Sequence, residues 1–209
     1  MVNIKQFSLL VLFSGMITML SGCATHSDAP LLSAPPSATA DNDIYMADGA
    51  ARIRAFRPDG TEQWSYSLAE DLARLNQRSS HDFQINYLSA RSGGMLFGLA
   101  TQVTGGHAGE TFLFVLEGNR LVWQRSVPYP AQDIRPLIVG RDGVYEAAND
   151  GLLYAFARSD GRLLWQYYVG TMGAPDIGAD GTIYVTGPRH NLHALNPDGT
   201  QKWVVEAAK

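Results

Sequence analysis

The sequence predicts an all-β fold of about four consecutive four-stranded units, with one short helix inserted between the first two. Three observations predict it. The eight letters "RPDGTEQW", ending at Trp64, return almost unchanged as "NPDGTQKW", ending at Trp203. Four tryptophans, Trp64, Trp123, Trp165 and Trp203, divide the chain, and near-fixed spacings run back from them. Short β-branched and aromatic runs such as "IYM", "VYE" and "IYV" precede each of these spacings, as strands with neighbours on both faces require. Self-similarity at a roughly fixed period marks a repeat architecture.

Taken in order, the chain opens with a basic residue, Lys5, and an apolar run over 7–20, followed by "LSGC" at 20–23. The run is too short to span a bilayer and has the n-region and h-region of a secretory signal. "LSGC" resembles the lipobox of bacterial lipoproteins. That resemblance implies removal of a signal peptide, residues 1–22, and acylation of Cys23, the one cysteine in the chain. Ala24 at the following position, in place of Asp, implies retention at the outer membrane with the protein facing the periplasm. Several acyl chains anchor a soluble body stably where one alone does not. With Cys23 acylated, no thiol remains for a disulfide, a metal or a nucleophile. The expected mature chain has 187 residues and a net charge of about −5. Without a basic stripe, nucleic acid is excluded as a partner, as is electrostatic attachment to anionic lipid. Residues 23–34 form the acylated N-terminus and linker, and the repeats fill 35–209.

The units are expected at about 35–66, 83–127, 135–168 and 174–206. Tyr45, Tyr145 and Tyr184 lie 19 or 20 residues before their tryptophans, and Phe97 takes that place in the looser second unit. Gly60, Gly161 and Gly199 lie four before, Gly118 five before. In Pro–Asp–Gly, proline presets φ, aspartate tolerates the next position and glycine supplies φ > 0, which makes a type I hairpin with a glycine bulge. The second unit carries about seven extra residues around "TQVTGGHAGE", read as a long flexible loop on one rim. Between the first two units, "SLAEDLARLNQRSS" predicts a helix over 68–78. Ser67 and Glu70 form a capping box, and Leu68, Leu72 and Leu75 make a stripe expected to pack on the protein's own sheet edge.

The repeat resembles the pyrroloquinoline-quinone-type (PQQ-like) β-propeller repeat, best in "DGLLYAFARSDGRLLWQYY" and "DGTIYVTGPRHNLHALNPDGTQKWVV". The resemblance implies a β-propeller of about four four-stranded blades, in which the tryptophans and the aromatics Tyr45, Phe97, Tyr145 and Tyr184 form inter-blade contacts. Propellers of this kind close with more blades, so three outcomes stay open: a partial ring, a half-ring that pairs with a second copy as a homodimer, or a small closed ring.

Catalytic and metal signals are weak. The quinone-dependent dehydrogenases of the superfamily use a vicinal cysteine pair and calcium, and this chain lacks that pair. His190 and His193 flank the entry to a strand, where a spacing of three points side chains to opposite faces, so they read as solvent-facing polar groups. The "DND" at 41–43 lacks the donor spacing of a calcium loop. No GxSxG element is present, and the glycine-rich segment opens no helix. The expectation is therefore no catalytic residue, no metal and no cofactor. The lipobox and the repeats together resemble the propeller lipoproteins of the outer-membrane β-barrel assembly machinery, at about half their length. That implies a non-catalytic scaffold with a protein partner, possible members being that machinery itself. Two other readings stay open: a quinoprotein-type redox enzyme or subunit, and a truncated paralogue without independent function.

Overall fold

A computed structural model describes residues 34–40, 42–79, 83–129, 136–170 and 173–206. Cys23, the leader, His26, His81 and the linker before residue 34 lie outside the described residues. Sixteen strands form four separate antiparallel sheets, each a simple meander. The first sheet is β1 (Ser37–Ala38), β2 (Ile44–Ala47), β3 (Arg52–Phe56) and β4 (Glu62–Ser67). The second is β5 (Phe83–Arg91), β6 (Met95–Thr104), β7 (His107–Glu117) and β8 (Arg120–Ser126). The third is β9 (Ile138–Val139), β10 (Gly143–Ala147), β11 (Leu152–Ala157) and β12 (Leu163–Tyr168). The fourth is β13 (Asp176–Ile177), β14 (Ile183–Thr186), β15 (Leu192–Leu195) and β16 (Gln201–Val205). The helix α1 (Leu68–Asn76) lies between the first two sheets, as the leucine spacing predicts.

Three hydrophobic clusters join the sheets in chain order. One joins the first sheet and α1 to the second, one the second to the third, and one the third to the fourth. Among the described residues no cluster joins the fourth sheet to the first. The fold is thus a partial β-propeller of PQQ-like repeats: each sheet is a blade, and each blade buries a face on the next. Central strands are apolar on both faces because both are covered. In β10 all five residues are buried, Val144 and Glu146 towards the second blade, Tyr145 and Ala147 towards the fourth. Among the described residues no helix is long and apolar enough to cross a membrane.

The cross-strand register explains the spacing of the aromatics. Tyr45, Ala55 and Trp64 sit side by side across the first blade. Tyr145, Ala155 and Trp165 do so in the third, and Tyr184, Ala194 and Trp203 in the fourth. The small alanine lets each tyrosine approach its tryptophan, with ring centroids 5.8, 5.7 and 5.9 Å apart. In the second blade Phe97, Val115 and Trp123 are the equivalent rung. In every blade the register slips by one residue just before the tryptophan. The extra residue is Gln63, Val122, Leu164 or Lys202, and such a bulge re-aims the side chain that follows it.

The turns before the outer strands have the expected geometry. Gly60 N–H donates to the Arg57 carbonyl and Gly199 N–H to the Asn196 carbonyl, both at 2.9 Å. Gly60, Gly161 and Gly199 have φ of +84°, +72° and +86°, which L side chains rarely adopt.

Three expectations are corrected. "TGGHAGE" is a tight hairpin, not a loop: Thr104 pairs with His107, and Gly105 and Gly106 both have positive φ, as a two-residue type I′ turn demands. The extra residues lengthen β6 and β7. Ser67 is the N-cap of α1 but its hydroxyl makes no capping bond, and the helix ends at Asn76, with Gln77 left-handed at φ +55°. His193 is not solvent-facing: it packs edge-on to Tyr167 between the third and fourth blades, with centroids 5.9 Å apart. His190 is exposed, as expected.

Candidate functional site

The tryptophans do two different things, set by what lies beyond each blade. Trp123 is buried, and its indole N–H donates to the Arg158 carbonyl in the turn of the third blade at 3.1 Å. A Cβ on Gly161 of that turn would lie 2.6 Å from the Trp123 ring. Trp165 repeats the contact one blade on: its N–H donates to the Pro197 carbonyl at 2.9 Å, and a Cβ on Gly199 would lie 2.6 Å from the ring. The glycines therefore serve twice, as left-handed turn residues and as flat seats for an indole. Trp64 instead packs into the cluster that α1 completes, and space around Gly118 is open. Trp203 has no following blade among the described residues and is 38% exposed.

The same outer strands carry the exposed apolar side chains. Val122 on β8, Leu163, Leu164 and Tyr168 on β12, Trp203 and Val205 on β16, and Leu75 at the end of α1 are all exposed. Val122 and Leu164 are bulge residues, so the slip that aims each tryptophan inward turns the preceding side chain outward. Between them lies a groove of about 540 Å³, floored by Met95, Val122, Trp123 and Leu164 and rimmed by Arg141, Arg158, Arg162 and Asp142. Three guanidinium groups against one carboxylate leave this rim positive. A second hollow of about 580 Å³ shares Val122, Trp123 and Ser159 and continues to Leu75 and Leu121, beside Asp71, Arg74 and Arg125. Leu68 and Leu72 are fully buried, so only the last leucine of the α1 stripe faces this groove.

Charged groups surround the groove. Arg74 is taken up by Asp71, which also accepts from the Tyr66 hydroxyl. Arg158 lies over the Phe97 ring at 5.5 Å. Arg162 stands 3.9 Å from Asp160 and is two-thirds exposed. The edges of β8 and β12 open beside the groove, so an extended segment could add a strand there while its side chains enter the groove. Among the described residues no group of three His, Cys, Asp or Glu could hold a metal ion. One buried carboxyl stands apart, Glu146, which is bonded to the Tyr129 hydroxyl. Burial, with Asp150 nearby, holds its pKa well above the ordinary range.

Of the residues singled out from sequence, the structure brings Phe97, Trp123 and Gly161 together between the second and third blades. It brings Tyr145, Trp165 and Gly199 together between the third and fourth, and Tyr45 and Trp64 between the first and second. Among the described residues Tyr184 and Trp203 lie in no cluster. Sequence reasoning missed the groove. The apolar residue just before Trp123 and Trp165 was its signal, since a strand that alternates would place a polar group there.

The family described as outer membrane protein assembly factor BamB matches residues 23–167 and, in an overlapping second match, 92–209. Among solved structures, BamB from Moraxella catarrhalis superposes with a TM-score of 0.60 at 17% identity. The superposition covers 84% of this chain and 49% of that one. A protein of unknown function from Bacteroides caccae superposes with a TM-score of 0.54 at 13% identity, over 82% of this chain and 60% of that one. The chain therefore spans about half the length of the BamB structure it matches. No curated protein sequence matches.

Proposed function

The chain belongs to the family described as outer membrane protein assembly factor BamB, and from that premise we propose that it is a non-catalytic, protein-binding scaffold in outer-membrane protein assembly. In this reading Cys23 carries the lipid anchor, the body faces the periplasm from the outer membrane, and the partner belongs to the β-barrel assembly machinery. The observation that carries it is the apolar groove between the outer strands of the second and third blades. Its floor of Val122, Trp123 and Leu164 and its positive rim suit an extended protein segment that alternates apolar with acidic side chains. Cys23, at the lipobox position, supports the anchor.

Leu164→Asp tests the groove. Leu164 is exposed, so unfolding stability should change by no more than about 0.5 kcal/mol. Capture of barrel-assembly components from solubilised outer membrane by the full chain should fall by an order of magnitude or more. Unaltered capture, or no such component captured by the wild type, would remove the proposal. For the anchor, metabolic labelling with palmitate should mark the wild type and not Cys23→Ser; equal labelling of both would rule out acylation at that residue.

A further inference from the structure

Among the described residues the outer faces of the first and fourth blades are unpartnered, and they match each other. On the fourth blade, Tyr184 and Trp203 lie tilted to each other with ring centroids 5.9 Å apart, on the face that points away from the third blade. Their equivalents Tyr145 and Trp165 are packed into the junction between the third and fourth blades. Trp203, by contrast, belongs to no cluster, and among the described residues its N–H meets no acceptor. At the start, the opposite face of the first blade carries Ile44, Met46 and Phe56, all half-exposed and in no cluster. Cross-strand register equates Ile44 and Phe56 with Ile183 and Leu195, which are fully buried against the third blade. Among the described residues the first blade therefore has no counterpart to the third blade that covers the fourth.

The turns complete the match. Trp165 docks on Asn196-Pro197-Asp198-Gly199, and the nearly identical Arg57-Pro58-Asp59-Gly60 carries no indole. Both glycines are left-handed, at +86° and +84°, and a Cβ on Gly60 would meet nothing within 4 Å. The face is more polar than its counterpart: it carries Arg52, Arg54 and Ser65, the last two where the fourth blade has His193 and Val204, and Arg54 lies nearest the apolar residues. Arg54 lies over the Phe56 ring at 5.0 Å and is held by Glu62. Its alkyl stem would meet Val205, as His193 meets Tyr167.

We infer that a second copy of this chain covers both ends: Trp203 of each copy docks on the Arg57–Gly60 turn of the other. Its N–H then reaches the Pro58 carbonyl and its ring lies flat on Gly60, as Trp165 does on Gly199. Two copies make two identical junctions about a two-fold axis, which closes the ring and leaves neither end exposed. The inference rests on the repeat geometry and not on the proposed scaffold role.

The test is the mass of the full chain in mild detergent by sedimentation equilibrium, with two variants. The expected result is the mass of two chains for the wild type and of one chain for Trp203→Ser and for Gly60→Asn. Asparagine tolerates positive φ, so the second variant fills the seat without breaking the turn. Both variants should keep the β-sheet circular-dichroism spectrum. A photo-crosslinking amino acid at position 205 of the otherwise unaltered chain should attach to a second copy. Any of these outcomes overturns the inference: a single-chain wild type, a dimer or larger assembly that survives both variants, or a crosslink to another protein or to the same copy.

Discussion

Trp123→Ala is expected to destabilise the protein by about 3–5 kcal/mol, the usual cost of emptying a buried aromatic site. Three losses combine there. The indole is 7% exposed, so truncation leaves a cavity between the second and third blades. Its N–H bond to the Arg158 carbonyl goes, leaving that carbonyl in the turn without this donor. Gly161, held at φ +72°, loses the ring that covers it. Blades in a repeat array hold one another through nearest-neighbour interfaces, so the damage should separate the unfolding of the first two blades from that of the last two. Denaturant unfolding followed by Trp fluorescence and by circular dichroism reads this. The wild type should give coincident curves, and the variant should give a lower midpoint with the two probes out of step. A loss below about 1 kcal/mol would mean that the indole does not bind the blades together.

Gly161→Ala approaches the same junction from the other side. It forces a Cβ to 2.6 Å from the Trp123 ring and an L side chain into positive φ. Because ring and turn are one contact, the two substitutions combined should cost less than the sum of the two alone.

What was legible in the sequence was whatever a fixed geometry forces on a fixed position. An indole needs a glycine beneath it, and the tyrosine beside it needs a small residue between, so Trp165, Gly199, Tyr145 and Ala155 sit at spacings the chain cannot vary. The helix was legible because Leu68 and Leu72 must both reach the core. The second blade was misread because strand length is not fixed by those contacts. The β-branched and aromatic runs "TQVT" and "TFLFVL" on either side of Gly105-Gly106 carried the hairpin, but the glycines suggested a loop. His193 was misjudged for a different reason. Its alternation was read correctly, but its face is covered by Tyr167 of the preceding blade, a contact between residues 26 apart in sequence. The groove depends on one-residue bulges, and a bulge reverses the alternation from which exposure is inferred. Glu146 was also hidden, since a carboxylate within "VYEAA" gives no sign that Tyr129 will reach it from the linker after β8.

Glu146→Gln is expected to raise stability at neutral pH and to remove much of its pH dependence. Glu146 is 1% exposed in the second junction, bonded to the Tyr129 hydroxyl, with Asp150 adding negative charge nearby. Burial, reinforced by Asp150, raises its folded-state pKa well above the ordinary 4.5. The sign follows from proton counting. Between the ordinary and the raised value, the folded protein holds a proton that the unfolded chain has released. Stability is then greatest below about pH 4.5 and falls by about 1.4 kcal/mol per pH unit until the folded group ionises. Glutamine keeps an oxygen for the Tyr129 hydroxyl and carries no charge, so it escapes this slope. The difference in Tm between variant and wild type should therefore be small near pH 4.5 and grow in favour of the variant as pH rises, until the folded carboxyl ionises. Parallel profiles would show that the carboxyl is not held neutral in the fold. Asp150→Asn separates the two causes: removing the neighbouring charge should end the wild-type slope at an only slightly lower pH, because burial is the larger of them.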